Sequence, residues 1–169
     1  APSPISFSSI FGGEDYDAQA EQPGWATATF KDHQWKNVLA VKPPKGKPEA
    51  EKTYPLTVND IFEPKAVTQP APGIYLYDFG QNASGIIKLK VKGKKGQTVK
   101  LIPGEGLNDE GLVSQKRTGG PYYFEYTLKG DGVEDWRPKF SYYGYQYIQV
   151  EHVNFKSSSA DSVKPVLLD

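Results

Sequence analysis

The sequence predicts an all-β fold, an antiparallel β-sandwich or jelly roll. Three observations favour it: short segments alternate apolar and polar residues, glycine and proline separate these segments, and no stretch has a convincing helical period. The 169 residues include 17 Gly and 14 Pro, which supply turns, and 13% aromatic residues, which favour strands. The alternation predicts eight strands, near residues 62–68, 74–79, 85–92, 97–102, 122–128, 134–140, 144–153 and 163–168.

The N-terminal part differs in composition from the rest of the chain. We predict two units, residues 1–52 as N-terminal strands and a loop packing on the sandwich, and residues 53–169 as the β-sandwich domain. The boundary follows the proline- and lysine-rich stretch KPPKGKPEAEK, whose composition is typical of an exposed loop. Three elements are predicted in the first unit, namely an apolar strand at 5–11, an acidic turn at 12–17 and a strand at 38–41.

The strands that follow should bury one face each. Within 85–92, Ile87, Leu89 and Val91 alternate with three lysines, so the aliphatic side chains should lie in the core and the lysines in water. Within 144–153, Ile148 and Val150 should form one face, and the tyrosines and polar residues the other. Trp136 and Phe140 are four residues apart on a predicted strand, so we expect both rings in the core.

Composition excludes several classes of function. Lys and Arg together number 20, as do Asp and Glu, so the balance predicts neither a nucleic-acid partner nor an anionic membrane surface. No apolar run approaches the length that spans a membrane, and the absence of cysteine excludes disulfides and thiolate metal sites. Catalytic triads, phosphate loops and metal-binding helix motifs are absent, and no local pattern selects a carboxylate pair for glycoside hydrolysis. We therefore expect no catalysis by this chain on its own.

One acidic cluster is a candidate metal site. Glu14, Asp15 and Asp17 could supply the oxygen ligands that calcium prefers, although their spacing matches no EF-hand loop. The turn at 108–111 (NDEG) is an equally plausible calcium site. The alternative is that both stretches are ordinary acidic turns.

Aromatic and amide side chains together suggest sugar recognition. A ring can stack on the apolar face of a pyranose, and planar polar groups can pair with its hydroxyls. On this basis we predict a sugar-binding site formed by Trp25, Gln81, Asn82, Tyr122 and Tyr123. The alternative is that the tyrosines only cover the edge of the sandwich.

Several stretches, in this order, also carry a family resemblance. They are GEDYDA at 13–18, YDFGQN at 77–82 with Gly85, Glu105 with the Leu107-Asn108 pair, and the aromatic run from Trp136 to Tyr147. Together they resemble the non-catalytic β-sandwich region of bacterial family 78 glycoside hydrolases, the α-L-rhamnosidases. The resemblance covers roughly residues 5–153, and Gln19 departs from it where the family usually has arginine.

The resemblance implies a module without the active site, because the (α/α)₆ barrel that carries the family's catalytic carboxylates follows this region and is absent here. Some of these enzymes also carry a jelly-roll module that binds L-rhamnose with a calcium ion. We therefore expect a concanavalin-like or galactose-binding-like module that binds L-rhamnose or a rhamnose-containing glycan, with calcium as a possible cofactor and the barrel as partner. The alternatives are a purely structural domain supporting the barrel and a small independent enzyme.

The chain begins at Ala1 and contains no methionine, so we expect an excised or processed piece of a larger protein. A bacterial enzyme that degrades glycans is expected to be secreted, periplasmic or on the cell surface. No signal peptide is visible in this chain.

Overall fold

The computed structural model describes residues 3–55, 57–153 and 166–167. Within them the regular structure is β-strand except for one short 3₁₀ turn at Ala18–Ala20, so the predicted all-β class is confirmed. The strands are β1 (Ile5–Ser9), β2 (Gly13–Asp17), β3 (Ala66–Ala71), β4 (Ile74–Gly85), β5 (Leu89–Lys92), β6 (Thr98–Gly104), β7 (Gly106–Leu107), β8 (Val113–Ser114), β9 (Tyr123–Thr127), β10 (Val133–Trp136), β11 (Tyr143–Val153) and β12 (Val166–Leu167).

Two sheets form the sandwich. The larger has seven strands in the order β1-β2-β9-β6-β11-β4-β3, and the smaller has three in the order β10-β5-β12. Strands β7 and β8 form a separate two-stranded ribbon. Among the described strands the pairing is antiparallel except between β2 and β9, which run parallel. The N-terminal strands are therefore hydrogen-bonded into the large sheet.

The core lies between the two sheets and follows the predicted alternation. Ile87, Leu89 and Val91 are buried, as are Ile148 and Val150 on strand β11, so the predicted core faces are confirmed. Tyr145, predicted on the other face of β11, packs against the core, because the register of β11 with β4 shifts between Tyr145 and Tyr147. The rest of the core consists mainly of aliphatic side chains and large rings, including Leu76, Tyr77, Phe79, Val99, Leu101, Tyr122, Phe124, Tyr126, Leu128 and Trp136.

The prediction that Trp136 and Phe140 share the core is wrong for Phe140. Trp136 is 5% exposed, whereas Phe140 is 70% exposed. Strand β10 ends at Trp136, and Pro138, which has no N–H to donate, lies between the two rings. The period of two cannot be extended past the end of the strand.

Two predictions in the N-terminal unit are also corrected. The acidic stretch at 12–17 was expected to be a turn, but Gly13–Asp17 forms strand β2. Gly13 has φ of 98°, and a β-carbon there would overlap the carbonyl oxygen of Tyr123 on the neighbouring strand. Residues 38–41 are not a strand, because 21–55 and 57–65 contain no helix or strand, and Val38 is 95% exposed.

Strand boundaries also shift elsewhere, and the strand predicted at 62–68 is β3, which starts at Ala66. Strand β4 continues through the predicted polar corner to Gly85, because residues 83–85 pair with the start of β11. Strand β5 starts later than predicted, at Leu89. Of the strand predicted at 163–168, only 166–167 lies among the described residues, where it is extended. No helix in the described part of the chain is long and apolar enough to cross a membrane.

Candidate functional site

A pocket of about 690 Å³ lies where three segments meet. The segments are the irregular residues 57–62, the end of strand β4 with the residues that follow it, and the loop between β10 and β11. The lining includes the side chains of Phe79, Gln81, Ser84, Arg137, Lys139, Tyr142 and Tyr145.

One side of the pocket is apolar and aromatic. Phe79 and Ile87 reach it from the buried core, and the ring of Tyr145 packs edge-on against Phe79 with centroids 5.8 Å apart. Burial raises the pKa of Tyr145 to about 12, so its hydroxyl stays protonated at neutral pH. Tyr142 also lines the pocket, and it is 57% exposed, so part of its surface is open to a ligand.

The rest of the lining is polar and charged. Gln81 and Ser84 supply an amide and a hydroxyl from strand β4, and Thr57 and Asn59 supply the same groups from the irregular segment. The charged lining consists of Asp60, Lys88, Arg137 and Lys139. Such a combination of rings with a few polar groups is typical of small-molecule sites.

The loop that carries Arg137 to Tyr142 is held by a buried carboxylate. Glu14 on strand β2 is 0% exposed, and its two oxygens accept the Lys139 N–H at 3.1 and 3.3 Å. The Ser141 hydroxyl donates to the carbonyl of Ser9 at 3.5 Å. Burial raises the pKa of Glu14, opposed by the hydrogen bonds from the Lys139 and Phe140 backbone. Strands β1 and β2 thus fix one wall of the pocket.

A local turn fixes the opposite wall. Gly80 has φ of 75°, and its N–H donates to the Asp78 carboxylate at 2.7 Å. Gln146 Nε2 donates to the same oxygen at 3.0 Å, while the Lys65 N–H donates to the Asp78 carbonyl at 2.7 Å. These bonds set the course of the backbone immediately before Gln81.

The predicted sugar-binding residues do not converge. Gln81 lines the pocket, and Asn82 follows it as an exposed residue of strand β4. Trp25 is exposed but is not part of the pocket lining. Tyr123 lies on strand β9 with Lys100 Nζ 4.0 Å from its ring centroid. Two strands separate β9 from β4, which corresponds to about 14 Å.

Tyr122 is unavailable to a ligand. It is 2% exposed, and its ring stacks on Tyr143 at 4.1 Å and packs edge-on against Phe124 at 5.4 Å. Tyr122 and Phe124 are buried in the core, whereas the ring of Tyr123 between them contacts Lys100, so Tyr122 and Tyr123 point to opposite sides of the sheet. Of the predicted rings, Tyr122 therefore belongs to the core.

The predicted calcium ligands are also divided by the alternation of strand β2. Glu14 faces the core, whereas Asp15 and Asp17 lie on the other face, and Asp17 Oδ1 accepts the Gln19 N–H at 2.9 Å. Burial raises the pKa of Asp15, while nearby Lys100 lowers it. In the 108–111 turn, Asn108 accepts backbone N–H groups from Glu110 and Leu112. Nowhere in the described residues do three His, Cys, Asp or Glu side chains form a metal-binding group.

The sequence prediction missed the side chains that the 137–142 loop contributes. Arg137, Lys139 and Tyr142 all line the pocket. The available signal was the run RPKFSYYGY, which combines two cations with exposed and half-buried rings in a short stretch beside proline. Only the position of strand β10 shows where that run turns outward.

Two family descriptions match the chain. "Bacterial alpha-L-rhamnosidase concanavalin-like domain" matches residues 68–168, and "Alpha-L-rhamnosidase N-terminal domain" matches residues 1–60. The first range ends at residue 60 and the second begins at residue 68. The domain boundary predicted at residue 52 stays a prediction.

The relatives and solved structures compared below are described as α-L-rhamnosidases. Curated relatives are 34% identical over 98% of this chain in Formosa agariphila and 35% identical over 89% in Streptomyces avermitilis. The solved enzyme from Dictyoglumus thermophilum superposes with a TM-score of 0.83 at 31% identity over 99% of this chain. The Streptomyces avermitilis enzyme, solved in complex with L-rhamnose, gives 0.79 at 34% identity over 99% of this chain. The chain spans only 18% and 15% of the two relatives and 19% and 16% of the two structures.

Proposed function

Because this chain belongs to the bacterial α-L-rhamnosidase family, we propose that it is a non-catalytic module that binds L-rhamnose or a rhamnose-containing glycan for a longer rhamnosidase. The observation that carries the proposal is the pocket between strand β4 and the 137–142 loop, where the exposed Tyr142 ring lies with the Gln81 amide and the Ser84 hydroxyl. On this proposal hydrolysis belongs to the rest of the longer protein, and this chain alone does not cleave an aryl rhamnoside.

The binding mode follows from the lining. The Tyr142 ring covers the apolar face of one pyranose, while Gln81 and Ser84 pair with its hydroxyls. Both walls are fixed by hydrogen bonds, so little conformational freedom of side chains and loops is lost on binding. A single sugar offers few contacts, so the dissociation constant should lie at about 10 μM to 1 mM.

Calorimetric titration of this chain with L-rhamnose and rhamnosyl oligosaccharides tests the proposal. Tyr142→Ala should weaken binding by about tenfold or more, because it removes the stacking surface. Tyr54→Ala is the matched control, since Tyr54 is an exposed tyrosine outside the pocket. Flat titrations with every sugar, or equal effects of the two variants, would refute sugar binding at this site. Repeating the titration with a chelator tests the calcium that the sequence suggested.

A second function, structural support of the rest of the enzyme, is favoured by a different observation. The irregular segment between the 3₁₀ turn and strand β3 exposes a series of large apolar side chains, namely Val38, Leu39, Val41, Tyr54, Val58, Ile61 and Phe62. Exposed apolar surface of this extent marks contact sites for other domains. We propose that this segment packs against the remainder of the longer protein, including its catalytic barrel.

The support function is tested by comparing this chain with the longer protein that contains it. Leu39→Ser should leave the thermal midpoint of this chain unchanged, because Leu39 is exposed here, and should lower that of the longer protein. Val133→Ser on strand β10 is the control, as an exposed aliphatic outside the segment. Unchanged midpoints in both proteins would exclude Leu39 from a domain interface.

A further inference from the structure

We propose that the pocket recognises an acidic saccharide, a sugar residue that carries a carboxylate or a sulfate, through Arg137 and Lys139. This inference rests on the proposed function, because it names the chemical class of glycan that the same pocket selects. The occupant is defined by its anionic group and its pyranose ring together.

The described lining of the pocket carries more positive than negative charge. Lys88, Arg137 and Lys139 line the pocket, and Asp60 is the one carboxylate among the described residues of the lining. The whole chain carries equal numbers of cationic and acidic residues, so this surplus of positive charge is local to the pocket. A cleft lined by one sign of charge concentrates ligands of the opposite sign.

Arg137 and Lys139 lie on the loop between β10 and β11. Trp136 and Pro138 are buried, while Arg137 and Lys139 are exposed, and both cationic residues line the pocket. Within the described residues no ion pair joins either side chain to a carboxylate. Binding an anion here therefore breaks no existing ion pair of these two cations.

Hydrogen bonds to strands β1 and β2 hold that loop in place. The Lys139 N–H is held by the fully buried Glu14 carboxylate at 3.1 Å, and Ser141 is tied to Ser9. The backbone between Arg137 and Tyr142 is therefore positioned before a ligand arrives, which lowers the entropic cost of binding. An arginine guanidinium pairs with a carboxylate or a sulfate through two parallel hydrogen bonds.

Aromatic rings form one side of the pocket. Tyr142, Tyr145 and Phe79 supply ring surface next to the cations. A bare inorganic anion has no apolar face to pack on the rings, whereas a pyranose bearing an acidic group can cover the rings and contact the cations at the same time. This combination favours an acidic sugar over a free ion.

The test is a calorimetric comparison of three ligands matched in size: a neutral rhamnosyl disaccharide, a rhamnose–uronate disaccharide and a sulfated rhamnosyl disaccharide, with inorganic sulfate as a fourth arm. At about 50 mM salt at least one acidic ligand should bind about tenfold more tightly than the neutral one, and the advantage should shrink at about 500 mM salt because counter-ions screen exposed charges. The arm that shows the advantage identifies the acidic group.

Arg137→Gln should reduce the ratio of acidic to neutral affinity to about threefold or less. Arg117→Gln is the matched control, since Arg117 is exposed and lies outside the pocket. Thermal unfolding of both variants confirms that they fold.

The outcomes separate the two proposals. Neutral and acidic sugars that bind equally, with no effect of Arg137→Gln, overturn this inference and leave the proposed function standing. Inorganic sulfate binding as tightly as the sugars overturns the saccharide part of the inference. Absence of binding by all four ligands overturns the inference and the proposed glycan binding together.

Discussion

At the scale of single residues, two buried carboxylates organise backbone. Glu134 accepts the Tyr126 hydroxyl at 2.9 Å, the Gly130 N–H at 2.8 Å and the Lys129 N–H at 3.1 Å, and it thereby closes the turn between β9 and β10. Glu14 performs the corresponding task for the loop after β10. Buried polar groups are tolerated where hydrogen bonds satisfy them, which explains why these two glutamates lie inside the sandwich.

The pH dependence of the free energy of unfolding should show the titration of Glu14. Burial raises its folded-state pKa above the unfolded value of 4.5, so the folded protein holds this proton more tightly than the unfolded chain does. Its favourable contribution is therefore complete below pH 4.5 and is lost as the pH rises through the raised pKa.

Glu14→Gln removes this titration, so the wild type should lose stability relative to the variant as the pH rises from about 4 toward 7. Urea unfolding at a series of pH values measures the difference. Glu110→Gln, at an exposed carboxylate in a loop, is the control and should give a curve parallel to that of the wild type. Parallel curves for Glu14→Gln as well would mean that the pKa of Glu14 is the same in both states.

At the scale of elements, the sequence predicted strands well where the two faces differ in polarity. Strands β5 and β11 have one apolar and one polar face, so their alternation and burial followed directly. Strand β2 was missed because its acidic residues satisfy no apolar alternation, and its partner β9 lies more than 100 residues away. Such long-range pairing leaves no local signal.

The candidate site was predicted only in part, for the same physical reason. Gln81 was identified because it lies in the polar part of strand β4. Tyr122 and Tyr123 were assigned to one site, although adjacent residues of a strand must point to opposite faces. The contributions of Arg137 and Tyr142 depend on where β10 ends, which the pattern of the sequence did not show.

The end of strand β10 can be tested by comparing two rings. Trp136→Ala should lower the free energy of unfolding by about 3–5 kcal/mol, because it leaves a cavity against Phe124 and Tyr126. Phe140→Ala should cost less than about 1 kcal/mol, because that ring is exposed. Urea unfolding measures both, and similar costs for the two variants would contradict the outward turn of the chain after Trp136.

At the scale of the whole molecule, a long irregular segment links two parts of one sheet. Strands β1 and β2 lie on one side of β9, while β3 and β4 lie at the other edge of the sheet. Residues 21–55 and 57–65 connect them without a helix or strand of their own. The integrity of the sheet therefore depends on hydrogen bonds between strands rather than on this connection.

Limited proteolysis tests that independence. Trypsin should cut first at Lys45 or Lys52, which are exposed in the irregular segment, while the strands remain protected. The two fragments should separate on a denaturing gel but elute together from a size-exclusion column, because β2 stays paired with β9 and Glu14 stays bonded to Lys139. Elution of the N-terminal fragment alone would show that the connection is needed to hold the sheet together.

The parallel pairing of β2 with β9 also has a consequence for the order of events during synthesis. Strand β2 leaves the ribosome before β9 does, and Glu14 meets its partner Lys139 only 125 residues later. At roughly 5–20 residues per second, this interval is on the order of ten seconds. Throughout it the N-terminal hairpin lacks its neighbour in the sheet, so the nascent chain presents an unsatisfied strand edge that a chaperone or another nascent copy can occupy first.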